Sequence, residues 1–179
     1  MPIPNDSSSA FVHGAAMLDF LPGPMHRLVL RNAHALRLWW WRTTHRRVRG
    51  CNVIAANDAG EVLLVRHSYH SPNTWMLPGG GLGTNEEPAI AGARELLEET
   101  GCILLRPVHI GTVTLDRTGW TNLLEMVAGH TDDLPRPDGR EIIEARFFAP
   151  DALPDQTSSP VKAMIARWLA GQNGSSGCD

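Results

Sequence analysis

The sequence predicts an α+β fold with an added N-terminal amphipathic helix. Three observations lead to it. Short apolar runs separated by turn residues recur through the middle of the chain, two bounded helical patterns interrupt and close that series, and a basic helical segment precedes it. A chain of 179 residues accommodates one ordinary domain of about 150 residues plus an appendage. We divide it into an N-terminal extension, residues 1–47, a globular domain, residues 48–170, and a flexible tail, residues 171–179.

The appendage comes first. Between Phe20 and Asn57 there is no acidic residue, while arginines stand at 27, 31, 37, 42, 46, 47 and 49. After Pro22 and Pro24, the helical spacing of MHRLVLRNAHALRLWWWRTTHRR puts Met25, Leu28, Val29, Ala33, Leu36, Trp39 and Trp40 on one face. Arg27, Arg31, His34, Arg37 and Arg42 lie opposite, with Leu30, Leu38 and Trp41 falling on the basic side. Packing on the body or in a homodimer is the leading expectation for such a helix. An anionic membrane surface is the second, and nucleic acid the weakest, because no base-reading motif accompanies the arginines.

The domain opens with CNVIAANDAGEVLLVRH, which reads as a hairpin turning at Asn57 to Gly60 and returning over Glu61 to Arg66. SYHSPNTWMLPGGG is a polar loop leading into a short strand and a glycine cluster. Pro107 to Val113, Leu123 to Ala128 and IIEARFFAP supply further strands, with the turn-rich HTDDLPRPDG before the last. A closing helix is capped by Ser158 or Ser159, admits Pro160 in its first turn and is expected to end at Gly171.

The central helix carries the chemistry. Pro88 fits only a first turn, so the helix starts between Asn85 and Pro88, and Gly101 stops it. With Glu95 at zero on the helical wheel, Glu98 lies at about 300 degrees and Glu99 at about 40 degrees, so three carboxylates share a face. Ala89, Ile90, Ala93, Leu96 and Leu97 are expected to bury the other side against the sheet. Like charges one turn apart repel, and a divalent cation removes the conflict. Magnesium takes oxygen ligands of this kind, and a backbone carbonyl from the glycine cluster adds another. Arg94 is the natural two-pronged partner of Glu86.

Gly80, Glu86, Arg94, Glu95, Leu96, Glu98, Glu99 and Gly101 together resemble the signature of the Nudix hydrolases: a glycine, five residues, glutamate, seven residues, then REU-x-EE-x-G-U, where U is a bulky aliphatic residue. The resemblance extends over about Val48 to Leu169. Cys102 stands at the final aliphatic position and Gly83 where many members carry glutamate. It implies an α/β/α sandwich with a mixed central sheet and hydrolysis of a diphosphate bond in a nucleoside diphosphate linked to another moiety, X. It further implies that Glu95, Glu98, Glu99 and the Gly79 carbonyl hold Mg²⁺ or Mn²⁺, and that Glu86 and Arg94 brace the helix and loop. Many members add an acid from outside the signature as ligand or base. Glu141 best fits that position here, with Glu144 as its competitor, and Glu95 and Glu141 are the candidate general bases.

Arg66, His67, Tyr69, His70, Trp75, Arg117 and Trp120 are the candidates for holding X, each with a plainer reading as core or surface. The competing function is a ligand-binding or regulatory module of the same shape with little turnover. At the level of the whole chain, the hydrophobic content of 42% suits a full core, and no apolar run approaches the length of a membrane span. MPIPNDSSSA lacks a secretory signal pattern, so a cytoplasmic location is expected. Cys51, Cys102 and Cys178 are expected to be reduced thiols.

Overall fold

The computed structural model describes residues 47–68, 73–83, 85–117, 120–137, 139 and 141–175. The N-terminal helix, Tyr69, His70 and Cys178 lie outside them. The element order is β1 (Arg47–Ala56), β2 (Val62–His67), α1 (Pro88–Thr100), β3 (Leu105–Arg117), β4 (Trp120–His130), β5 (Ile142–Phe148) and α2 (Ser159–Ser175). The strands form one sheet in the order β3-β4-β1-β2-β5. β1 and β4 run parallel and the other pairs antiparallel, so the sheet is mixed, as expected.

Alternation along the strands produces the layers. In β1, Val53 and Ala55 face α1 and pack with Leu63, Leu96, Cys102, Leu104 and Val127. Ile54 faces α2 and packs with Leu64, Leu124, Met126, Val161, Met164 and Ile165. Cys51 and Cys102 are buried and unpaired. Among the described residues no helix is long and apolar enough to cross a membrane.

Three expectations change. The side of α1 against the sheet is Ala91, Gly92, Leu96 and Thr100, whereas Ile90 and Leu97 are 63% and 51% exposed. A Cβ on Gly92 would meet the Val127 side chain at 3.0 Å, so the helix touches the sheet through its smallest residue. Second, α2 runs through Gly171 to Ser175. A mid-helix glycine costs only about 1 kcal/mol relative to alanine, less than burial of the neighbouring apolar side chains returns. Third, β3 and β4 are longer than the apolar runs Pro107 to Val113 and Leu123 to Ala128, and extend until Arg117 pairs with Trp120 at the strand ends.

A polar cross-link ties three strands on the α1 face. The buried Glu125 of β4 accepts hydrogen bonds from Thr112 Oγ1 at 2.6 Å and from Arg49 at 2.8 Å, and His109 Nε2 lies 3.0 Å from the same carboxylate. His109 and Thr112 would normally face opposite sides of β3. A register shift between His109 and Gly111 inserts one extra residue and turns both toward Glu125.

The Thr112 hydrogen bond, followed by Arg49 and His109, holds the Glu125 carboxyl below its ordinary 4.5. A depressed value means that the folded state favours the charged form. The resulting stability is complete above the unfolded value of about 4.5 and is lost as pH falls through the folded one. Glu125→Gln is therefore expected to cost about 1–3 kcal/mol near neutral pH and to flatten the decline in melting temperature between about pH 5 and pH 3. Parallel acid profiles for the two proteins would refute this role.

Candidate active site

A short extended segment sets the floor of the site. Cys51 and Val53 amides of β1 donate to the carbonyls of Gly80 and Pro78 at 2.9 and 2.8 Å, and Gly50 bridges Gly81. Pro78 and Gly80 thus direct their carbonyls at β1, and the Gly79 carbonyl stays outside that ladder. Gly79 has φ 150, and a Cβ there would overlap the Cys51 carbonyl of the neighbouring strand. A Cβ on Gly80 would overlap the Glu95 carboxylate. Only a glycine at 79 lets the loop lie this close to the β1 backbone, and a side chain at 80 would displace the Glu95 carboxylate.

The helix delivers its acids to this floor. α1 starts at Pro88 behind an extended Glu87, and Gly101 closes it with φ 71 while its amide donates to Leu97 at 2.9 Å. Glu99 Oε2 accepts the Gly79 amide at 3.0 Å. Arg94 grips both oxygens of Glu86, Nε to Oε1 and Nη2 to Oε2, each at 3.0 Å. Its Nη1 also donates to Glu95 at 2.8 Å and to Glu98 at 3.3 Å, and Nη2 reaches the Gly81 carbonyl at 3.2 Å. Glu86 accepts the Gly83 amide at 2.7 Å, closing the loop between glycine cluster and helix.

These contacts sort the carboxyls electrostatically. The Arg94 hydrogen bond, then the Gly83 amide, lowers the Glu86 pKa, and Glu86 in turn raises that of Arg94. Burial pushes Glu95 up against the opposing pull of Arg94. Burial pushes Glu99 well above the ordinary value, with the Gly79 amide opposing and the charges of Glu95, Glu141 and Glu98 adding to the rise. Cys51, under the same corner, is pushed up to about 11 by burial. Its thiol is thus protonated and inert at neutral pH.

Gly79, Glu86, Arg94, Glu95, Glu98 and Glu99 therefore meet at one corner. Glu141 lies on the turn before β5, where its carbonyl accepts the Ser68 amide at 2.8 Å, and its charge is felt at Glu99. Glu144 points elsewhere: it is bonded to Arg66 and to Arg146. Of the residues expected to hold X, Trp75 is a core residue, edge-on to Phe148 at 4.8 Å, and the Arg66 guanidinium lies 5.2 Å from its ring. His67 is buried in β2. The side chains of Arg117 and Trp120 are outside the described set.

Sequence reasoning missed a second polar group. Asp58, His130 and Asp132 bring ligand-capable atoms within 4.8 Å of one another. They sit at the far end of β1, where Ala56 pairs with His130, away from the glutamate corner. The spacing gave no signal because Asp58 stands in the β1–β2 turn while His130 ends β4 and Asp132 follows it, far along the chain. Both aspartates are exposed, and His130 is already bonded to Asp132 at 2.7 Å.

Comparison with known proteins places these features in a wider context. A family model described as "NUDIX domain" matches residues 45–169. The chain is 45% identical over 51 residues to a diphosphoinositol polyphosphate phosphohydrolase 2 of Rattus norvegicus, covering 28% of this chain and 28% of that protein. It is 40% identical over 68 residues to an RNA pyrophosphohydrolase of Acinetobacter baylyi, covering 38% of this chain and 37% of that one. The matches thus span well under half the length of these relatives. Among solved structures, a NUDIX hydrolase from Nitrosomonas europaea aligns with TM-score 0.59 and 26% identity, covering 70% of this chain and 90% of that one. A MutT NUDIX hydrolase from Burkholderia pseudomallei aligns with TM-score 0.60 and 24% identity, covering 68% and 97%, and supports the fold alone.

The loop geometry separates neighbouring glycines. Gly79→Ala forces a side chain into the β1 backbone at an unfavourable φ, and is expected to cost about 1–3 kcal/mol or more. Gly81→Ala meets nothing within 4 Å and is expected to stay within about 0.5 kcal/mol. Chemical denaturation of the two variants measures the difference, and equal midpoints would contradict the close approach.

Proposed function

We propose, from the premise that this chain belongs to the NUDIX domain family, that it is a metal-dependent pyrophosphohydrolase acting on a diphosphate bond of a nucleotide-linked compound. One observation carries this reading. Two part-buried carboxylates, Glu95 and Glu99, are held against a glycine backbone with their charged forms disfavoured by burial and by neighbouring carboxylates. A protein gains nothing in stability from such an arrangement alone.

The donor set suits a hard divalent cation. Glu95, Glu99 and the Gly79 carbonyl offer oxygen ligands, with Glu98 and Glu141 at the rim, and no soft sulfur ligand is in play because the Cys51 thiol is held protonated. Mg²⁺ is the proposed ion and Mn²⁺ its alternative. When bound, the cation would neutralise phosphate oxygens and lower the pKa of a coordinated water. Glu86 and Arg94 would act at one remove, fixing the rotamer of Glu95 and the path of the glycine loop. Proton removal from the attacking water falls to Glu95 or Glu141. Burial raises Glu95 above its ordinary value, the direction that makes a carboxylate a stronger base, and the engagement of Glu144 by two arginines favours Glu141 as the acid from outside the signature.

The nature of X rests on less. Trp75 is committed to the core, so base stacking there is not part of the proposal. The relatives' names widen the substrates to be tried. A panel of nucleoside triphosphates, sugar nucleotides, dinucleotides, ADP-ribose, a diphosphoinositol polyphosphate and 5′-triphosphorylated RNA, with Mg²⁺ or Mn²⁺ and product identification, tests it. Release of phosphate or a monophosphate from at least one member, abolished by a chelator, is the expected result. Absence of product across the panel with both metals would favour the binding-module reading.

Glu99→Gln is expected to lower turnover about 100-fold or more while leaving the melting temperature unchanged or higher, since it removes a carboxyl whose charged form burial disfavours. Glu98 is 58% exposed, and Glu98→Gln is expected to do less damage to turnover. Retained turnover in Glu99→Gln at limiting metal would remove Glu99 from the proposed set.

A further inference from the structure

The helix α2 leaves part of its face of the sheet uncovered. Beyond it, the edge strand β3 shows Leu105, Val108 and Ile110 at 45%, 57% and 41% exposure. Two cavities of about 530 and about 300 Å³ run along this margin. Both are lined by Trp168 and Gln172 of α2; the first takes Ile110 and Val113 from β3, the second Leu105 and Val108. They form one trough between β3 and α2, mainly apolar along its β3 wall. Leu105 to Val113 lies opposite His130 to Leu124 of β4, six strand steps of about 3.3 Å, or about 20 Å. The trough does not include the glutamate corner, and the proposed reaction makes no use of it.

The occupant is indicated by where the described chain begins. β1 starts at Arg47, directly opposite Thr121 of β4, which in turn pairs with Asp116 of β3. The chain before Arg47 thus enters the sheet two strands from the trough. Crossing those two strands takes about 10 Å, and descending from Asp116 to Val113 another 10 Å or so, a diagonal of about 14 Å. Residues 42–46 reach up to about 17 Å when extended. Residues 25–41, if helical as their spacing predicts, are about 26 Å long, enough to run the whole length of the trough.

We propose that residues 25–41 form a helix that lies in the trough between β3 and α2. It buries Leu28, Val29, Leu36 and Trp40 against Val108, Ile110 and Trp168 and turns Arg27, Arg31 and Arg37 to solvent. The basic extension is then the second helix of the α2 layer. It covers an apolar edge strand that would otherwise invite association. This inference is independent of the proposed catalytic activity.

Hydrogen–deuterium exchange of the full-length protein, read by mass spectrometry alongside light scattering, tests it. The expected result is at least tenfold protection of amides in residues 28–41 in a monomer, unchanged on dilution. Val108→Asp and Ile110→Asp are each expected to reduce that protection at least tenfold while amides of β1 and β4 stay protected. Leu36→Asp should do the same from the other side of the contact. Ile90→Asp, on the exposed side of α1, should leave the segment protected. The proposal is overturned if residues 28–41 exchange at the rate of unstructured chain, or if their protection ignores the β3 variants. Protection lost on dilution together with a dimeric mass would instead assign the trough to a second copy. Protection appearing only with anionic phospholipid vesicles would assign the helix to a lipid surface. Either result overturns the intramolecular contact.

Discussion

The molecule depends on the absence of side chains between β1, the Pro78–Gly81 segment and α1. Because Gly79 and Gly80 carry no Cβ, the loop backbone bonds to β1 on one side and meets Glu95 and Glu99 on the other. Gly92 repeats the device where α1 crosses Val127. Close approach of three backbones brings carboxylates into a corner with little water, and the raised Glu95 and Glu99 values follow from that desolvation. Arg94 limits the cost by meeting Glu86, Glu95 and Glu98 at once. Its fork geometry allows this, and a lysine could not reproduce the two-pronged grip on Glu86.

Much of this was legible because it is local. Pro88 and Gly101 delimit α1 through backbone chemistry that no tertiary contact overrides, and the pairing of Arg94 with Glu86 needs only a helix start and a long side chain. The buried side of α1 was read less well. Ranking residues by apolarity favoured Ile90 and Leu97, whereas the sheet accepts the helix along Ala91 and Gly92, where small size permits contact. On the wheel Gly92, Leu96 and Thr100 sit at about 60, 100 and 140 degrees from Glu95, and Glu99 lies beside them. The acids therefore border the interface instead of opposing it.

Long-range features left no such trace. Glu125 reads as one acid in an apolar strand. Its partners come from two other strands, Arg49 from β1 and His109 and Thr112 from β3, and the last two face it together only because β3 carries an irregularity. Gly171 shows the converse failure, a local stop signal that packing overrides: Met164 and Ile165 fasten α2 to the core, with Trp168 and Leu169 packed against it, and the helix continues to Ser175. Arg66 and Trp75 looked available because sequence shows residue type and not commitment. One is bonded to Glu144 and the other is packed on Phe148.

The three glutamates of α1 are chemically alike but differ in solvent, and the difference follows from their angular order. Glu99 is nearest the sheet side and is bonded to the Gly79 amide, Glu95 is next and shares Arg94, and Glu98 turns outward and is 58% exposed. A cation seated among them would draw most of its electrostatic attraction from the first two, because low local dielectric strengthens a charge interaction as it raises the penalty of leaving it unmet. The exposed acid is screened by water and is freer to move. A rotation of about 100 degrees per residue thus converts a run of identical side chains into a graded set, from buried carboxylate to exposed one. That gradation suits the proposed reaction, in which the site would hold an ion on one side and admit a phosphorylated substrate on the other.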